Sequence, residues 1–144
     1  MFSKACVYAI RATVCIAACS EDGKSMTLKA IAQGTDSPEA FTAKVLQKLV
    51  HAGLVTSTKG PGGGFSIPLA LARKVRLSHI VATIDGDAIY KGCALGLPQC
   101  DARKPCALHD HFLKVREDLR RMLERTCVQD LVKDVKKGGT VLKR

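Results

Sequence analysis

Between two short apolar runs, residues 54–58 and 65–67, the chain carries Lys59-Gly60-Pro61-Gly62-Gly63-Gly64. Such a segment cannot extend a helix or a central strand, because proline has no N–H to give and glycine loses the most freedom on ordering. The flanking runs then read as a β-hairpin with a glycine-rich tip. The tip is no phosphate-binding loop, since it lacks the G-x-x-x-x-G-K-S/T spacing and no helix pattern opens directly after it.

Three helical stretches precede the hairpin. Residues 3–19 place Ala5, Cys6, Ala9, Ile10, Thr13, Ile16 and Ala17 on one face, and Glu21-Asp22-Gly23 ends them. A second helix follows Thr27, with Leu28, Ile31 and Ala32 inward and Gly34 as its stop. Ser37-Pro38-Glu39 opens a third: serine caps, proline is tolerated at the first helical position, and glutamate suits the positive helix end. It runs to about residue 52, with Phe41, Val45, Leu46, Leu49 and Val50 apolar and Gly53 as its stop.

After the hairpin, residues 78–85 form a fourth helix around Ile80, Val81 and Ile84, ended by Gly86. Residues 87–106, with three cysteines and two prolines, read as an irregular loop. Leu108, Phe112, Val115, Leu119 and Met122 then recur at 4-3-4-3 spacing, an a/d stripe flanked by Lys114, Arg116, Glu117, Arg120, Arg121 and Glu124. A capping box at Thr126 and Gln129 opens a last short helix with Leu131, Val132 and Val135. The basic tail is expected to fray. The division is residues 1–86, a winged helix–turn–helix; 87–106, the cysteine loop; 107–135, a dimerisation helix and terminal helix; and 136–144, the tail. The fold class is mostly α with a small β-hairpin wing.

Helix, helix, helix, ribbon is the order of a winged helix–turn–helix, whose third helix enters the major groove. Glu39, Phe41, Thr42 and Lys44 are its early residues, and Lys44 and Lys48 share a face at i, i+4. Lys59, with Gly60, Gly62 and Gly63, sits where a wing follows the minor groove or its phosphates. The 23 basic against 13 acidic side chains, a net +10, suit a polyanionic partner such as double-stranded DNA. Tryptophan is absent and aromatics are 4%, which argues against base-stacking platforms for single strands. A solvated basic face and a merely flexible glycine loop are the plainer readings of the same residues.

No apolar run reaches the roughly 18–20 residues of a membrane span. Residues 16–19, Ile-Ala-Ala-Cys, look like a lipobox, but Arg11 leaves only residues 12–18 ahead of Cys19, short for a signal segment. The stretch is therefore expected to be a helix of the fold, and the protein cytoplasmic. Paired carboxylates in a cleft, a Ser/His/Asp order and a nucleotide fingerprint are all missing, so the reading is not an enzyme.

Seven cysteines, an odd number, fit poorly with a disulfide framework. Cys93-x6-Cys100-x5-Cys106-x2-His109 is the chemical centre. Three thiolates and an imidazole on a short loop suit an iron–sulfur cluster or zinc. Lys91, Arg103 and Lys104 would favour thiolates and offset cluster charge. Zinc sites more often show paired C-x2–4-C spacing. Free thiols sensing redox or electrophiles directly remain an alternative, as does a non-regulatory metal or iron–sulfur protein. Cys15, Cys19 and Cys127 read as small buried residues, and His111, His51 and His79 as surface ones.

Tyr8-Ala9-Ile10-Arg11-Ala12, Leu46-x-x-Leu49-x-x-x-Gly53-Leu54-Val55, the wing through Phe65, and Leu77-x-x-Ile80-Val81-x-x-Ile84-Asp85-Gly86 carry a family likeness over residues 1–135. The chain resembles the Rrf2 family of bacterial winged-helix regulators, of the IscR and NsrR type. The resemblance implies a homodimer, with the long helix crossing its partner through Leu108, Phe112, Val115, Leu119 and Met122. It also implies a pseudo-palindromic operator. The expected function is a DNA-binding regulator, a repressor rather than an activator, whose cluster senses redox, nitric oxide or cluster and iron status. Cluster-binding members use three loop cysteines, here Cys93, Cys100 and Cys106, and some add a histidine two residues beyond, here His109. A 2Fe–2S cluster is the favoured form and 4Fe–4S the alternative. Other members take an acidic fourth ligand from the partner's first helix. Val7 stands at that position and cannot ligate, which points to His109, or to neighbouring Cys6. The first gap, six residues, exceeds the usual five. Members without these cysteines answer small ligands instead.

Overall fold

The computed structural model describes residues 1–143. The first helix, α1 (Lys4–Ser20), starts at Ser3, whose hydroxyl accepts the Cys6 N–H at 3.0 Å. It buries Ala9, Ala12, Thr13, Val14, Ile16 and Ala17, which confirms a fold helix at the lipobox-like stretch. Thr27 caps α2 (Leu28–Thr35) by accepting the Ala30 N–H at 3.2 Å. Gly34 does not stop this helix, which ends one residue later at Thr35, with left-handed Asp36 (φ 52°) as its C-cap. Gly34 is instead where α2 meets α1: a Cβ there would stand 3.1 Å from Cys15 Sγ.

Pro38, not Ser37, is the N-cap of α3 (Glu39–His51). Ser37 turns its hydroxyl onto those of Thr35 at 2.8 Å and Thr42 at 2.6 Å. The far end closes as expected at Gly53 (φ 74°): Leu54 N–H donates to Leu49 O at 2.9 Å and Gly53 N–H to Val50 O at 3.0 Å.

β1 (Thr56–Thr58) and β2 (Gly64–Ser66) form the antiparallel hairpin, with Ser57 opposite Phe65. A third segment ties it down. Met26 N–H donates to Phe65 O at 2.9 Å and Phe65 N–H to Met26 O at 2.8 Å. The backbone passes so close that a Cβ on Gly64 would lie 2.5 Å from Met26 O.

α4 (Leu69–Lys74) follows Pro68 and buries only Ala72; six residues are too few to show a helical period, and the sequence reading missed it. α5 (Leu77–Asp85) ends at Gly86 (φ 68°). The stretch expected to be wholly irregular holds one helical turn, α6 (Ala88–Lys91). α7 (His109–Arg125) leads to α8 (Val128–Lys136). The cap of α8 is Cys127, not Thr126: the Asp130 carboxylate accepts the Cys127 N–H at 2.9 Å, while the Thr126 hydroxyl donates back to Met122 O.

One core joins Ile16, Ile31, Leu46, Leu49, Ile67 and Ile80 with Leu123 of α7 and Val128 and Val132 of α8. α7 and α8 thus share their core with the helices that precede the cysteine loop. Leu77 N–H to Thr126 O at 3.0 Å and Val128 N–H to Val75 O at 2.9 Å staple the two groups together. The tail docks rather than frays: Leu142 packs on the core and the Lys143 ammonium donates to Gln33 O at 3.0 Å. Arg144 lies outside the described residues. Among those residues, no helix is long and apolar enough to cross a membrane.

Candidate nucleic-acid interface and cysteine site

On α3, Glu39, Lys44 and Lys48 are exposed, and the tip residues Lys59, Gly60 and Gly62 stand free with Gly63 half-buried. Thr42 is a correction. It is only 2% exposed and its hydroxyl is committed to Pro38 O at 2.9 Å and to Ser37, so it cannot reach a base. Phe41 is half-buried with its ring edge-on to Tyr8, centroids 5.6 Å apart, which makes it an anchor of α3 on α1. Gln47, exposed one turn on from Lys44, was missed; its amide can pair with an adenine edge. Nothing in its spacing marks it, since glutamine carries no charge to join the basic stripe.

The cysteine loop brings the four candidate side chains together in two pairs. Cys93 Sγ lies 3.9 Å from Cys106 Sγ, and Cys100 Sγ lies 3.4 Å from His109 Nδ1. Among the described residues, no three histidine, cysteine or acidic side chains converge on one point. The backbone N–H groups of Leu97 and Leu95, then Cys106 and the Arg116 charge, hold the Cys93 thiol below its usual range. The turn that aims those amides is closed by Gly96 N–H to Cys93 O at 3.0 Å, with Gly96 at φ 71°. His109 N–H donates to Cys106 O at 3.0 Å, so Cys106 and His109 frame the first turn of α7.

The cation at this site differs from the ones expected. Lys91 pairs with Asp87 and Arg103 with Asp101. Arg116 of α7 reaches Cys100 Sγ instead, at 3.5 and 3.6 Å. In the sequence it looked like an ordinary flanking charge of the a/d stripe. Cys6 is fully buried on α1, and burial, then the Asp85 charge, pushes its thiol up to about 12. Cys127 is buried as expected, but Cys15 and Cys19 are partly exposed.

Leu108, the N-cap of α7, and Phe112, Val115 and Met122 along it are exposed, Val115 by 54%, whereas Leu119 is half-buried against the core. The helix turns Leu123 inward and leaves the stripe facing solvent.

Residues 2–134 match the Rrf2 family, described as an iron-dependent transcriptional regulator. The transcriptional repressor NsrR of Streptomyces coelicolor is 27% identical over 124 residues, 86% of this chain and 82% of its own. In fold, the chain is similar to CymR, the global cysteine regulator of B. subtilis (TM-score 0.74, 20% identity, 92% of this chain and 96% of that one). It is similar also to T. potens IscR (TM-score 0.73, 19% identity, 98% and 92%). On this evidence the chain belongs to the Rrf2 family of transcriptional regulators.

Proposed function

We propose that this regulator is a homodimeric repressor of a pseudo-palindromic operator, acting in the cytoplasm, whose DNA affinity is set by a 2Fe–2S cluster on Cys93, Cys100, Cys106 and His109. The paired spacing of these side chains carries the reading. Two sulfurs on one tetrahedral ion at roughly 2.3 Å lie about 3.8 Å apart, and a sulfur with an imidazole nitrogen about 3.5 Å. The observed 3.9 and 3.4 Å suit one iron per pair. A 4Fe–4S cluster gives each iron one protein ligand, which such close pairs do not suit. The buried Arg116 Nε, without a partner among the described residues, is a further sign of polar chemistry at this point.

When bound, such a cluster supplies metal–ligand bonds that oxidation, nitric oxide or loss of iron break. The chain's own residues turn that into a response. Cys93, Cys100, Cys106 and His109 held together order the loop and fix the first turn of α7. The exposed stripe of α7 pairs the protomers, so freeing that turn changes the separation of the two α3 helices. A few kcal/mol of differential binding shifts such an equilibrium strongly. Lys44, Lys48 and Lys59 supply phosphate contacts, with Glu39 and Gln47 at base edges.

The test is anaerobic purification with absorption spectroscopy and iron and sulfide analysis, then gel shifts of apo and holo protein on one operator panel. A colourless protein that reconstitution cannot charge, or identical apo and holo affinities, defeats the reading. One observation favours a second reading. Cys93 and Cys106 at 3.9 Å need only approach to about 2.05 Å to form a disulfide. A cluster-free protein whose operator affinity changes with that disulfide would establish direct thiol sensing.

A further inference from the structure

We propose that Cys15, Cys19 and Met26 form a separate binding site for Cu(I) inside the DNA-reading half. Cys15 Sγ lies 3.8 Å from Met26 Sδ. Two sulfurs sharing one three-coordinate ion at roughly 2.3 Å lie about 4 Å apart, so this pair already stands at ligand spacing. Cys19 is at i+4 from Cys15, the next position on the same strip of α1. All three residues are partly exposed, which gives an ion a way in. Thiolate and thioether donors without a carboxylate or imidazole select Cu(I) over harder cations.

The surroundings suit the charge. Two thiolates holding one Cu(I) carry a net negative charge, and the Lys143 charge acts on Cys15, while that of Lys136, shared with Glu21, acts on Cys19. Burial, then the neighbouring Cys19, holds the Cys15 thiol above its usual range, with Lys143 opposing. Binding forms bonds from Cu(I) to the three sulfurs and releases two protons, one from each thiol, with no change of oxidation state. The place matters for DNA reading. Gly34 of α2 abuts Cys15 Sγ, and the Met26 backbone pairs with Phe65 of the wing. An ion here joins α1, the start of α2 and the base of the wing. The site shares no residue with the Cys93–His109 group.

The test uses the full-length chain with Cys93, Cys100 and Cys106 replaced by serine, which removes competition from the loop. Reduced and without oxygen, it should bind one Cu(I) per chain against a colorimetric Cu(I) chelator. Cys15→Ser and Cys19→Ser should each weaken binding about tenfold or more, the scale of losing a strong metal contact. Met26→Leu, which keeps the packing, should weaken it less, and Cys127→Ser should leave it unchanged. Thermal melts of the metal-free variants report folding; if Cys15→Ser fails to fold, Cys19→Ser and Met26→Leu decide. A background chain that binds no Cu(I), or undiminished binding in the folded Cys15, Cys19 and Met26 variants, overturns the proposal.

Discussion

Arg116 Nη2 lies 3.5 Å from Cys100 Sγ, and Nη1 of the same guanidinium donates to Gly92 O at 2.8 Å. One side chain of α7 thus holds the cysteine loop at two points. Arg116→Gln should free the loop. Amide exchange over residues 92–100 should speed up about tenfold, equivalent to about 1.4 kcal/mol, the scale of one charge-assisted hydrogen bond. Arg116→Lys keeps the charge without the planar fork and should recover only part. Unchanged exchange in Arg116→Gln would show that the guanidinium is not the tether.

The wing separates two kinds of residue. Gly64 sits at φ 135°, with Met26 O where a Cβ would go. Gly64→Ala must open the Met26–Phe65 bridge, a strain of about 1–3 kcal/mol, and should lower both the melting temperature and operator affinity. Lys59 is exposed at the wing tip. Lys59→Ala should therefore melt as the parent does, yet reduce the salt slope of binding by about one, on specific and random duplexes alike. An unchanged slope would take the wing off the phosphates.

These two residues also show what was legible in advance. The glycine run, the Gly53 stop and the apolar faces of α1 to α3 follow from backbone rules that hold without tertiary context. Thr42 was misplaced because its hydroxyl is polar in sequence but satisfied inside the fold by Pro38 O and Ser37. α4 was invisible because six residues hold no period. The cysteine spacing singled out the four side chains proposed here as ligands. Their division into pairs, and the reach of Arg116 from 16 residues away, depend on how α7 lies beside the loop.

Val115 is 54% exposed on the apolar stripe of α7, so replacing it cannot empty the core. Val115→Asp should sediment as a monomer, keep its melting behaviour at low concentration, and lose high-affinity operator binding. Leu119→Asp would be ambiguous, because Leu119 also packs on the core. A dimer that survives Val115→Asp places the interface elsewhere.

Acid should act on the contact between α1 and α8. Lys136, then Gln129, hydrogen-bonds the Glu21 carboxylate and holds it below its usual range. A group with a depressed folded pKa stabilises the fold above its unfolded value, taken as 4.5, and loses that contribution as pH falls through the folded value. Glu21→Gln should therefore lower the melting temperature modestly near neutral pH. The gap from the parent should close as pH drops below that range. A gap independent of pH would mean that the ion pair contributes nothing.

His109 joins the cysteine site to α7, since its ring lies 3.4 Å from Cys100 Sγ and its backbone opens that helix. Cys100 and His109 contribute nothing to the buried core, so Cys100→Ala and His109→Ala should both fold, with stability changes of about 0.5 kcal/mol or less. Their effects on the proposed cluster should differ. Cys100→Ala removes a thiolate and the sulfur that Arg116 addresses, and reconstitution should leave it colourless. His109→Ala keeps all three thiolates, so it should charge, show an altered spectrum and lose iron faster in air. On the operator panel, Cys100→Ala should behave as the apo parent whatever the iron supply, while His109→Ala should move from holo to apo behaviour as its colour fades. A His109 variant with the parent's spectrum and lifetime would remove the imidazole from the ligand set and leave the fourth position to another group.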